Sequence, residues 1–125
     1  MIGDGVLSDD GLQATSRGLD VDLRLPWYRG LPLSAVEIGE VRINGQVISP
    51  DAMSLGLNGK NFHLSDLENH FSELWFVLDS ASLHVEYPQA RRGQEYEVEV
   101  TITLWPPYII GLAFPKQVKR HLRAN

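Results

Sequence analysis

LRLPWYRGLPLSAVEIGEVRING, residues 23–45, is the stretch that decides the fold of this chain. At its start Val21, Leu23 and Leu25 alternate with Asp20, Asp22 and Arg24, the period-2 pattern of a strand with one buried face. Pro26 ends that strand, because proline lacks the N–H that a central ladder requires. Trp27, Tyr28 and Arg29 follow in a segment that Gly30 and Pro32 keep irregular, and a second strand begins at Val36. Val36 and Ile38 share one parity while Val41 and Ile43 have the other, so a bulge at Gly39 is needed to bring all four to one face. Asn44-Gly45 then predicts a hairpin, since a type I′ turn needs positive φ at both central residues, with Gln46 to Ser49 as the returning strand. The stretch reads as two strands joined by an aromatic, cationic arch. Large side chains in a loop held by a stiff scaffold are a usual seat of function.

Working outward, Asn58-Gly59 predicts a second hairpin between residues 53–57 and 60–64. Ser65-Asp66-Leu67-Glu68 has the form of a capping box and predicts a short helix to about Ser72, with Leu67 and Phe71 as its apolar stripe. Residues 74–78, LWFVL, form an apolar run of strand length, which implies burial on both faces or one side of a partner contact. Trp75 is assigned to the core. A strand is expected over 82–87, and the cleanest alternation of all lies at 95–104, with Tyr96, Val98, Val100, Ile102 and Leu104 inward. It runs into Trp105-Pro106-Pro107-Tyr108, echoing Leu25-Pro26-Trp27-Tyr28. About eight short strands and one short helix predict an all-β antiparallel sandwich; no long helical crossovers exist for a parallel sheet. Residues 1–16, poor in periodicity, are expected to be a flexible lead-in or an edge segment, 17–112 the sandwich domain, and 113–125 a basic C-terminal tail, either frayed or docked on an acidic surface.

The composition narrows the function. A chain of 125 residues with 43% hydrophobic and 22% charged residues fits one soluble globular domain. Its net charge is −5, although Lys116, Lys119, Arg120 and Arg123 sit together in the acid-free end, so the body is more acidic still. Such a body repels phosphate backbones, which argues against nucleic acid as a partner. No apolar run approaches the ~20 residues that span a bilayer, and the acidic start lacks a signal peptide's basic region. No membrane association and a cytoplasmic location are expected, in keeping with the absence of cysteine.

No self-contained catalytic centre or metal site is legible, and none is assigned. His63, His70, His84 and His121 are widely spaced without a ligand motif, and read as surface or satisfied core histidines. Ser34 and Ser65 lack a nucleophile elbow, Glu97 and Glu99 lie on one solvated strand face, and no phosphate-binding glycine loop occurs. The candidate site is aromatic. Trp27, Tyr28, Trp105 and Tyr108 stand at strand ends beside prolines, either plugging the sandwich mouth or meeting a partner or flat ligand. Arg29 among them gives the composition of an interface hot spot.

Three segments also carry a resemblance: residues 23–45, the run FHLSDLENHFSELWFVLDSASLHV, and the strand end TLWPPYI. Together they resemble the small β subunit of bacterial C-glycoside deglycosidases over roughly residues 18–109. Trp27 stands where that family's pattern has tyrosine, Gly30 where it has serine, and Trp105-Pro106 where it has arginine and an apolar residue. The resemblance implies a β-sandwich packed on a larger TIM-barrel α subunit, which holds a divalent metal such as manganese and the catalytic residues. It further implies cleavage of the carbon–carbon bond between a 3-oxo-sugar and an aromatic aglycone such as a flavonoid, with the C-glycoside bound at a shared site. On that reading this chain is a non-catalytic subunit of a carbon–carbon lyase, inactive alone and without a cofactor of its own. Trp27, Tyr28, Arg29, Trp105 and Tyr108 are then its contacts to the partner or the substrate mouth. Two alternatives stand beside it: a free-standing carbohydrate-binding sandwich with Trp27, Tyr28 and Trp105 as stacking platforms, and an assembly protein without effect on turnover.

Overall fold

The computed structural model describes residues 5–125. Among the described residues eleven strands follow one another: β1 (Leu7–Ala14), β2 (Gly18–Arg24), β3 (Leu31–Pro32), β4 (Val36–Ile43), β5 (Gln46–Val47), β6 (Met53–Leu57), β7 (Lys60–His63), β8 (Leu74–Trp75), β9 (Ser80–Glu86), β10 (Glu95–Leu104) and β11 (Phe114–Arg123). Every pairing is antiparallel. One sheet has the order β1-β2-β9-β6-β7, the second β11-β10-β4-β5, and β3 pairs with β8 as a two-stranded ribbon. The fold is an all-β sandwich.

Its core is the set of inward parities. Leu19, Val21 and Leu23 of β2, Ala81, Leu83 and Val85 of β9, and Met53, Leu55 and Leu57 of β6 face Val36, Val41 and Ile43 of β4 and Tyr96, Val98, Val100, Ile102 and Leu104 of β10. Each fully buried aliphatic side chain contributes about 1.5–3 kcal/mol relative to exposure. The bulge falls where parity required it: Val100 pairs with Val41 and Ile102 with Ile38, leaving Gly39 and Glu40 opposite Thr101 alone. Both Asn-Gly hairpins form, with φ of 51° and 80° at Asn44 and Gly45 and of 55° and 76° at Asn58 and Gly59. The strand after Asn44-Gly45 is only two residues long.

Four expectations need correction. The first segment is an edge and not a flexible lead-in: it forms β1, the outer strand of the five-stranded sheet, and Leu7, Leu12 and the preceding Val6 are fully buried. Leu7 pairs with Leu23 and Leu12 with Val21, so Ser8 to Gly11 loop out as a wide irregularity that hides the alternation. Residues 1–4 of that segment lie outside the described residues. The supposed basic tail is β11, paired along all of β10. Its inward positions are Phe114, Lys116, Val118, Arg120 and Leu122, and the two cations break the apolar pattern. Arg120 is accommodated at the sheet edge, where it donates to the Leu7 carbonyl at 2.6 Å and pairs with Asp9. Outward, Lys119, His121 and Arg123 sit opposite Glu99, Glu97 and Glu95, so the acidic surface this segment meets is its own neighbouring strand.

The expected capped helix is a 3-10 helix, Leu64–Asn69, with His63 at its N-cap and no side-chain cap bond. Its three-residue period puts Leu64 and Leu67 on the packed face and leaves Phe71 exposed. Among the described residues helical structure is confined to such turns, the others being Leu33–Ala35 and Pro50–Ala52. Finally, the 74–78 run is not buried on both faces. Trp75 is fully buried, whereas Leu74, Phe76 and Leu78 are exposed.

Candidate functional site

The arch between β2 and β4 is pinned from below. Leu25 and Pro26 are buried, and Leu31 pairs with Trp75 in the β3–β8 ribbon. Trp75 donates its indole N–H to the Asp79 carbonyl at 3.0 Å, and Arg24 donates to the Leu78 carbonyl at 3.0 Å, fixing residues 75–79 beside the arch. Gly30 permits the close approach: a Cβ there would lie 3.2 Å from the Trp75 carbonyl oxygen and 3.4 Å from the Phe76 ring. The arch is held on a rigid support.

On that support the predicted residues converge. The Trp27 indole N–H donates to the Tyr108 hydroxyl at 2.6 Å, although the two are 81 positions apart in sequence. The Tyr108 and Tyr28 hydroxyls are 3.3 Å apart, and the Arg29 guanidinium lies 5.2 Å from the centroid of the Tyr108 ring. Trp27 is half-buried, its ring packed 5.2 Å from Tyr28 and 5.1 Å from Phe114 of β11 in tilted arrangements. The echo between the two proline-aromatic segments is thus a physical contact, because β2 and β10 end on the same side of the sandwich. Phe114 is a member that the sequence reading left out.

Trp105 is not in this cluster. It follows inward Leu104, so strand parity turns it onto the outer face, where its indole N–H donates to Glu37 at 3.2 Å. It borders a separate hollow of about 310 Å³ with Ser34, Leu64 and Glu68. Trp27, Tyr28 and Trp105 do not form one flat stacking platform.

The two phenols are driven apart electrostatically. Desolvation opposes ionisation of Tyr108, but its hydrogen bonding with Tyr28 and Trp27 and the nearby Arg29 charge outweigh it and pull Tyr108 below the ordinary phenol value. The same contact, joined by desolvation, holds Tyr28 above it. Tyr108 is the link at the centre of the cluster, accepting from the Trp27 indole N–H and donating to the Tyr28 hydroxyl.

Around this cluster the surface is unusually apolar. Tyr28 (71% exposed), Phe76, Leu78 (83%), Tyr108, Ile110 (93%) and Leu112 all project at the end where β2 and β10 stop. Phe76 and Leu78 belong to the run whose partner-contact reading the sequence offered. Ile110 and Leu112 gave only a short apolar stretch without strand period. Among the described residues no cluster of three or more His, Cys, Asp or Glu side chains is arranged to hold a metal ion, and no helix is long and apolar enough to cross a membrane.

A two-sheet sandwich with its core closed and one aromatic end left uncovered is the class of protein that fold and site define. The chain belongs to the C-glycoside deglycosidase beta subunit family, whose model matches residues 2–108 and so includes the arch and its Tyr108 counterpart. It is 34% identical over 110 residues to a C-glycoside deglycosidase beta subunit of Microbacterium trichothecenolyticum, covering 88% of this chain and 83% of that one. It is 33% identical to a protein of the same description from Arthrobacter globiformis, with 88% and 84% covered. A 3'-dehydrocarminate deglycosidase beta subunit from a Microbacterium species is 30% identical, with 87% and 82% covered. A beta subunit works with a partner subunit.

Proposed function

We propose that this chain is the non-catalytic β subunit of a two-component C-glycoside deglycosidase and that its aromatic rim seats on a TIM-barrel α subunit. The α subunit carries the divalent metal, manganese in our reading, and the residues that cleave the carbon–carbon bond between a 3-oxo-sugar and an aromatic aglycone. The observation that carries the proposal is the rim itself: Trp27, Tyr28, Arg29 and Tyr108 are fixed in place by hydrogen bonds and packing, yet present aromatic and aliphatic surface with no intramolecular cover. Aromatic residues with one arginine are the composition of an interface anchor, and a rigid anchor loses little conformational entropy on docking.

The chain's part in the reaction is positional. Seated at the mouth of the α subunit, the rim excludes water from the bound C-glycoside and orders the loops around it. Tyr108, with its lowered pKa, and Tyr28 face that mouth as hydrogen-bonding groups. The enzyme operates in the cytoplasm, which suits a cysteine-free chain.

Co-expression with the product of the neighbouring gene, followed by assays of assembly and deglycosylation, tests the proposal. Tyr28→Ala and Arg29→Ala are expected to weaken assembly and lower turnover together. Full assembly and full activity in both variants would remove the rim from the mechanism.

A further inference from the structure

We propose that the outer face of the five-stranded sheet carries a binding groove for a neutral, hydroxyl-rich ligand of pyranose size. This goes beyond the partner reading and does not depend on it. Register places Asp20 of β2, His84 of β9, Ser54 of β6 and His63 of β7 in one row across four adjacent strands, all on the face opposite the core. Neighbouring strands are about 4.8 Å apart, so this row spans roughly 14 Å. The hollow over it measures about 470 Å³ and lies at the Gly18 and Glu86 ends of β2 and β9, the far end from the rim. That volume is within the range of small-molecule sites, and polar groups share this lining with Ala52, Met53 and Val85.

Three features show that the groove is built. First, the Asp20 carboxylate holds His84 Nδ1 at 2.8 Å, which fixes the ring and leaves Nε2 over Gly56 without a partner among the described residues. Second, Gly56 sits in the middle of β6, where glycine weakens a strand. A Cβ there would meet His84 Nε2 at 2.9 Å and Asn61 Oδ1 at 3.3 Å, so the glycine makes the floor on which the imidazole lies. Third, one wall is a rigid turn: Thr15 Oγ1 accepts from the backbone N–H of Arg17 and of Gly18, and Gly18 lies so close to β9 that a Cβ would overlap the Val85 carbonyl.

The chemistry of the lining selects the ligand. Acceptors (the Asp20, Asp51 and Glu86 carboxylates) share the lining with the donor Arg17 and with Asn61, Ser54 and His84, which can do either. Hydroxyl groups donate and accept at once, and a ring bearing several of them satisfies such a mixed wall. The carboxylates repel anions, and the Arg17 guanidinium stands among them.

Titrating the ¹⁵N-labelled full chain with methyl β-D-glucopyranoside tests this. Saturable shifts are expected at residues 15–17, 54–56, 61 and 84, with affinity weakened about tenfold by Gly56→Ala, which displaces the imidazole, and by Asn61→Ala, which removes a donor at an exposed position. Tyr108→Phe, at the far end, is expected to leave that affinity unchanged. The proposal is overturned if no saturable shifts occur, if they map to residues 27–29 and 108, if folded Gly56→Ala and Asn61→Ala both bind as wild type, or if ethylammonium chloride binds at least as well as the glycoside.

Discussion

The rim and the groove finish opposite ends of the same strands in opposite chemistry. At the rim, β2 and β10 run into proline and deliver Trp27, Tyr28 and Tyr108 to a shared cluster whose outer surface is apolar and uncovered. At the groove, the polar side chains of β2, β9, β6 and β7 answer one another across the sheet, with Asp20 satisfying His84. The difference teaches that an uncovered apolar end calls for a macromolecular neighbour, whereas a polar hollow is already at home in water and can exchange water for a small hydroxylated ligand. The outer face of the second sheet differs again, for along β10 and β11 it sets Lys119, His121 and Arg123 opposite Glu99, Glu97 and Glu95.

Four perturbations separate the two ends, from the largest effect to the smallest. Trp75→Ala removes a fully buried indole from under the arch and is expected to cost about 3–5 kcal/mol in urea unfolding, loosening the rim while leaving the groove's sheet register intact. A cost below about 1 kcal/mol would show that Trp75 does not anchor the arch. Tyr108→Ala deletes the hydroxyl that joins Trp27 to Tyr28 and is expected to weaken binding of the proposed α subunit by about 2 kcal/mol, roughly thirtyfold by titration calorimetry, with little change in melting temperature. Unchanged binding would move the interface elsewhere.

Two smaller effects are read in pH. Burial, followed by repulsion from Asp20, raises the Asp22 pKa on the groove-bearing sheet. A carboxyl with a raised folded pKa destabilises the fold once ionised, so stability is lost as pH rises from the unfolded value through the folded one. Asp22→Asn is accordingly expected to raise the melting temperature slightly at neutral pH and to lose that advantage in acid. Glu73 behaves in the opposite way. Hydrogen bonds from Asn58 at 2.8 Å and Lys60 at 2.9 Å lower its pKa and tie the β6–β7 hairpin to the segment before β8. Its contribution is present above the unfolded value and disappears as pH falls through the lowered folded one. Glu73→Gln should flatten the acid limb of a stability profile; an unchanged limb would mean that this surface clamp contributes nothing.

Local signals in the sequence were faithful where one strand or one turn decided the matter. The alternation of β10, the parity break at Gly39 and the two Asn-Gly turns each have a backbone cause that acts within a few residues. β1 and β11 were illegible for the converse reason. In one, a loop-out interrupts the period; in the other, Lys116 and Arg120 occupy inward positions that only the sheet edge makes tolerable. The cluster of Trp27, Tyr28, Arg29 and Tyr108 was legible through the repeated proline-aromatic pattern, while Trp105 was misplaced because outward parity carries it to Glu37. The groove left no trace in the sequence: Asp20, Ser54, His63 and His84 become neighbours only through strand register, which no local signal sets.

Amide hydrogen exchange of the chain, alone and assembled with the proposed α subunit, tests the central claim most directly. The account predicts new protection concentrated in residues 25–31 and 105–112, with the groove residues 15–17 and 54–56 exchanging as in the free chain. Protection that falls on the groove or on the β7 edge, with the rim unchanged, would contradict it.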